Sequence, residues 1–234
     1  MLYRREIATA AILVFAAVGQ PLRAQTSTRE FWPEVDVFIQ HGERMRFILQ
    51  NLFTLDPETR SSKGNFTCFV EVALRPLLRT ELRHQNDVFR KRFLTFRTGY
   101  RYIANLESGN PYSEQRAIAE INARYALPDK FVLSDRNRGE FRFIRGEPFS
   151  TRYRNQIGLE RELTIGSIAM TPYVYDEYNY DTRYSAWARV RYTAGLQLPV
   201  GQHVTLEPYV AWQINKRSSQ RHDAILGFRL DLYF

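Results

Sequence analysis

Arginine and glutamate recur at every second position through the C-terminal two-thirds of this chain. Arg136, Arg138, Glu140 and Arg142 form one run, Arg152 and Arg154 a second, and Arg189 and Arg191 a third. Around them stand Arg101, Glu114, Arg116, Glu120, Arg124, Glu160, Glu177, Glu207 and Tyr209. A guanidinium presents a planar fork of N–H donors that fits a carboxylate or a phosphate. Gathered on one surface, such residues have two uses. They can line a passage or site for anionic solutes, or the two signs can pair and fill a narrow interior. The interleaved glutamates favour a structural role, while the arginine excess leans the same surface towards anions.

Other chemistries find less support. Of four histidines, His41, His84 and His203 fall at or near turns. Only His222 has Ser218, Ser219 and Asp223 close by, the residue types that a lipid-hydrolysing serine site would need. No histidine spacing suits zinc, and no glycine-rich loop suits a phosphate. The single cysteine, Cys68, excludes an internal disulfide. No cofactor and no metal are expected.

A spacing of two requires strands to position these groups, because side chains alternate across a strand. Leu226, Phe228, Leu230, Leu232 and Phe234 alternate with Gly227, Arg229, Asp231 and Tyr233. The segments around 204–214, 186–196, 94–102 and 70–75 follow the same rule, with Trp187 on the face of Arg189 and Arg191 and Cys68 on the face of Val70 and Val72. Residues 113–127 also space Ala117, Ile118, Ile121 and Tyr125 as a helix would, but their clean alternation and strand neighbours favour a strand. A soluble β-sandwich alternates too. Three features favour a membrane barrel: strands of about ten residues, charges at successive positions of one face, and an apolar strand ending on the aromatic Phe234. Counting back from Phe234 gives eleven strands, the first at 34–39. Single-chain bacterial barrels have even numbers, so about 10–12 is expected, with ten or twelve preferred. Asp135 and Asn137 break the pattern by pointing to the lipid face. A bulge or a raised membrane boundary would relieve that.

At the N-terminus Arg4 and Arg5 precede an uncharged apolar stretch from Ile7 to Val18, with Ala24 before Gln25. The stretch is too short for a spanning helix and fits a signal peptide over residues 1–24, leaving a barrel over 25–234. Cleavage removes three arginines and one glutamate from a chain of net charge +8. Export and one-sided placement of the basic residues argue against nucleic acid. Arg183, Lys216, Arg217 and Arg221, on the longer polar connections, could meet lipopolysaccharide or simply be solvated. The shorter turns, among them 127–130, 162–166 and 199–202, mark the periplasmic side, where 84–87 is expected to close a further hairpin.

The order Gly99-Tyr100-Arg101-Tyr102, Glu114 with Arg116, the run 136–142, Arg152 with Arg154, Pro172-Tyr173 with Glu177, Arg189 with Arg191, and Glu207 with Tyr209 resembles the outer-membrane barrels grouped as domain of unknown function 2490. The resemblance spans about Trp32 to Phe234. It implies an all-β, antiparallel transmembrane barrel in the bacterial outer membrane and brings no catalytic residues. The expected role is a small, porin-like channel or binding barrel for polar or anionic solutes. The alternatives are a lipid-modifying enzyme and a purely structural barrel. Outer-membrane lipid and the barrel-assembly machinery are the expected partners, the latter through Phe234.

Overall fold

The computed structural model describes residues 27–58, 60–77, 86–107, 112–217 and 222–234, so the expected signal peptide lies outside the described residues. The strands in chain order are β1 (Ser27–His41), β2 (Met45–Asp56), β3 (Ser61–Leu77), β4 (Arg92–Asn105), β5 (Ser113–Ala126), β6 (Phe131–Ile144), β7 (Ser150–Arg161), β8 (Leu163–Ile165), β9 (Ile168–Asp181), β10 (Ala186–Val200), β11 (Val204–Asn215) and β12 (His222–Tyr233). Successive strands pair antiparallel, except that the three-residue β8 pairs with β9 alone and β7 joins β9 directly. β1 and β12 close the ring in parallel, from Ser27 opposite His222 to Phe38 opposite Tyr233.

The wall therefore has eleven strands, and the even-number rule misleads for this chain. In a ring of consecutive hairpins an odd count leaves the first and last strands pointing the same way, so the seam is parallel. β1 also starts seven residues before the expected Glu34. The stretch 113–127 is a strand, as its alternation requires.

The distribution of side chains inverts that of a soluble protein. Large apolar groups such as Phe47, Leu49, Phe141, Ile157, Leu226 and Phe228 are exposed on the outer face, and so is Cys68. Glu71, Glu114, Glu120, Glu140, Glu160 and Glu207 are buried within the ring. One sequence expectation needs correction, and one alternative left open by the sequence falls away. A register shift between Trp187 and Arg189 turns Trp187 outward, against Tyr153 and Tyr180 at ring centroid distances of 6.4 and 5.7 Å. No shift interrupts β5–β6 or β6–β7, so Asp135 and Asn137 face outward without a bulge.

The interior is divided. Phe38, Ile48, Phe69 and Ile118, with Tyr233, pack into an apolar cluster on the side of β1, β2, β3 and β5. Glycines elsewhere leave room for tyrosine rings laid along the lumen wall. A Cβ on Gly227 would meet the Tyr209 ring at 2.0 Å, and one on Gly158 the Tyr175 ring at 2.2 Å. Cross-strand aromatic–glycine pairs of this kind pin the register.

The connection from β3 to β4 is not the simple hairpin expected at 84–87. His84 and Gln85 lie outside the described residues, but residues 86–91 turn into the barrel. Asn86 donates to Val204 O of β11 at 2.9 Å, and Asp87 pairs with Arg46 of β2 at 2.6 Å. Val88–Lys91 form a short 3-10 turn, started by Asp87 accepting from the Phe89 N–H. Phe89 is buried under the Arg46 guanidinium at 4.3 Å, and Arg90 reaches Glu160 of β7 at 2.7 Å. This segment ties together opposite walls and plugs the barrel at the rim that bears Phe234.

Candidate functional site

Every second residue of β4, β5, β6, β7, β9, β10 and β11 points into the lumen, which brings the charged runs of the sequence together. Their pairing follows the register. Glu114 accepts from Arg116 at 2.8 Å and Arg142 at 2.5 Å. Glu140 accepts from Arg116 at 3.1 Å and Arg154 at 3.0 Å, with Arg138 and Arg152 each at 3.9 Å. Glu120 holds Arg138 at 2.5 Å, and Glu177 holds Arg136 and Arg154 at 2.7 Å. Arg124 pairs with Glu160. Glu207 accepts from the Tyr173 hydroxyl at 2.6 Å and from Arg229, beside Tyr209.

Three arginines stand apart from this lattice. Among the described residues Arg101 donates only to the Thr67 hydroxyl, at 2.7 Å, and Arg189 only to Asn215 Oδ1, at 2.8 Å. Arg191 donates to Gln213 Oε1, stacks on Trp32 at 4.6 Å, and meets its nearest carboxylate, Glu177, only at 3.9 Å. Among the described residues neither Arg101 nor Arg189 has a carboxylate within salt-bridge distance. Burying a guanidinium without a counter-charge is costly, so these two are poised to gain from an anion.

They line a cavity of about 600 Å³ that reaches Arg183, Tyr184 and Arg217 at the rim opposite Phe234. Its described lining carries fourteen basic side chains against seven acidic ones, a strong positive excess. A second cavity of about 160 Å³ lies against the plug, with six of each sign. Gln50, Arg97, Arg136, Gln156, Tyr175 and Arg229 border both and form the partition between them. The open vestibule is electropositive and the inner chamber is balanced.

Several members of the site escape sequence reasoning. Asp181 holds Arg142 at 2.6 Å and Arg152 at 2.9 Å, and Glu71 holds Arg46 at 2.7 Å and Arg97 at 3.2 Å. Arg46 and Glu71 obey the alternation of their strands and could have been found from it. Phe234 continues the seam, donating to Phe38 O at 2.9 Å, while its ring is exposed. Asp223 turns into the lumen, where Thr28, Gln213 and Asn215 donate to it, whereas His222 turns outward and stacks on Trp212 at 5.5 Å. The two therefore stand on opposite faces of β12 and do not form an acid–histidine pair. Ser218, Ser219 and Arg221 lie outside the described residues.

A family model described as "Protein of unknown function (DUF2490)" matches residues 50–223. No curated protein matches the chain. Among solved structures, the crystal structure of the beta domain of the Bordetella autotransporter Brka is similar, with 11% identity and a TM-score of 0.46 over 78% of this chain and 81% of that one.

Proposed function

Since the chain belongs to the DUF2490 family of proteins of unknown function, we propose that its function is set by its lumen: it is an outer-membrane barrel whose blind vestibule takes up a small anionic solute. The apolar exterior and charged interior support placement in a membrane, where an outward apolar face needs lipid to cover it. Binding is favoured over free passage because residues 86–91 cross the inner end. The observation that carries the reading is the positive excess of the vestibule together with Arg101 and Arg189, which have no carboxylate partner among the described residues. Clustered charge in a walled cleft raises the local concentration of counter-ions and steers them inward. On this reading Arg183 and Arg217, at the rim of the vestibule, meet lipopolysaccharide phosphates, and Phe234 is read by the assembly machinery.

Isothermal titration of the solubilised barrel with inorganic pyrophosphate tests this. The wild type binds, and the double variant Arg101→Gln/Arg189→Gln binds at least about tenfold more weakly, since one hydrogen bond to a charged group contributes about 1.5–3 kcal/mol. Absence of binding to the wild type, or equal binding to the variant, overturns the reading.

A further inference from the structure

A polar island interrupts the apolar outer wall. Asp135 and Asn137 of β6 face outward, beside Tyr153 and Asn155 of β7. Asn155 Nδ2 donates to Asp135 Oδ1 at 2.8 Å and to Asn137 Oδ1 at 3.1 Å. Asn137 Nδ2 donates to Asp135 Oδ1 at 3.1 Å, and the Tyr153 hydroxyl donates to Asn137 Oδ1. One strand further, Asp176 of β9 lies across Ile157 from Asp135 and is exposed. A raised membrane boundary does not relieve this arrangement. Along β6 the island is bounded by Phe131 and Leu133 on one side and by Phe141 and Phe143 on the other. Along β9, Asp176 stands between Val174 and Tyr178. Moving the boundary past the island would strip lipid from one of these apolar flanks.

We infer that this face docks a second, different membrane-embedded chain that presents an arginine or lysine to Asp135 and Asp176. The inference rests on the outer-membrane reading above. Counting donors identifies the occupant. Asn155 uses both its amide hydrogens within the island, Asn137 uses one, and Tyr153 uses its hydroxyl. What remains facing outward is mainly acceptor: the second oxygen of Asp135 and the whole carboxylate of Asp176, neither of which has a donor among the described residues. An ionisable group facing hydrocarbon is costly and persists where it is paired or functional. A second copy docked face to face would set acid against acid. Elsewhere on the described outer wall, mid-strand positions such as Leu49, Val70, Phe96, Val210 and Leu226 offer no basic side chain for a head-to-tail contact. The complement must come from another chain. The wall is also recessed here. Gly139 has open space where a Cβ would stand, and it lies opposite Ala119, with Ala123 opposite Asp135. Small residues let a partner backbone approach closely within a membrane.

The test places a photo-crosslinking residue at Ile157, between the two carboxylates, and another at Leu226 as a control, in the full chain in cells. The Leu226 probe labels lipid. The Ile157 probe yields a discrete heavier adduct whose mapped peptide carries an arginine or lysine within a membrane segment of another chain. Asp135→Asn/Asp176→Asn lowers that yield at least tenfold. Heat-modifiable mobility checks that this variant folds; if it does not, Asp176→Asn alone, which breaks no internal bond, replaces it and must also lower the yield. Lipid labelling at Ile157, an adduct with a second copy of this chain, or a yield indifferent to the aspartates overturns the inference. Absence of lipid labelling at Leu226 overturns the membrane reading itself, and the inference with it.

Discussion

Glu140 stands within 4 Å of the guanidinium groups of Arg116, Arg138, Arg152 and Arg154, and it is buried. Arg189, by contrast, leans on one amide oxygen. The contrast separates residues that hold the barrel together from those left open to the vestibule. Glu140→Gln keeps the shape but removes the one acid that Arg116, Arg138, Arg152 and Arg154 share, leaving each with a single other carboxylate among the described residues, and should cost about 3–5 kcal/mol, as breaking a buried pair does. Arg189→Gln removes a single hydrogen bond of a charged group, about 1.5–3 kcal/mol at most, and lowers anion binding. Urea titrations of the refolded barrels compare the two; equal midpoints would show that the pairing carries no special weight. The charged runs were legible in the sequence because alternation places them on one face. Their pairing was not, because it depends on strand register. Asp181, the last residue of β9, joins arginines 39 and 29 positions away only once β6, β7 and β9 lie side by side.

At the scale of the element, the inward turn at 86–91 is the feature that alternation could not reveal. Asn86 and Asp87 are ordinary turn residues, and a segment this short shows no period. Burial pushes the Asp87 carboxyl up, but the charge and hydrogen bonds of Arg46 outweigh it and hold the group below the usual carboxylate range. Its contribution to closure is therefore present above the unfolded value of about 4 and is lost only as the pH falls through the lower folded value. In planar bilayers the wild type should stay closed from neutral pH down to about pH 4. Asp87→Ala/Arg90→Ala, which cuts the ties to Arg46 and Glu160, should show conductance steps at neutral pH with anion preference. A silent variant would mean that the partition around Arg97, Arg136 and Arg229 closes the barrel by itself. Strands were the easier elements to read, and the residues that misled were those at a register shift. Trp187 follows the alternation of its neighbours on paper, and the shift before Arg189 reverses its face.

For the whole molecule, all-β architecture and the inside-out distribution followed from periodicity alone, since exposed Leu226 and buried Glu207 lie on faces that their spacing assigns. Strand number did not follow, because the general preference for even rings outweighed a direct count of eleven. The odd count changes how the molecule can be handled. Ser27 opens β1 beside His222, at one rim, whereas Phe234 ends the chain at the other. A reporter fused ahead of Ser27 and one fused behind Phe234 would thus stand at opposite rims of the barrel. Nor could the two ends be tied by a short linker, since it would have to run the height of the wall; any rewiring of the chain order must instead cut and rejoin at hairpins on a single rim.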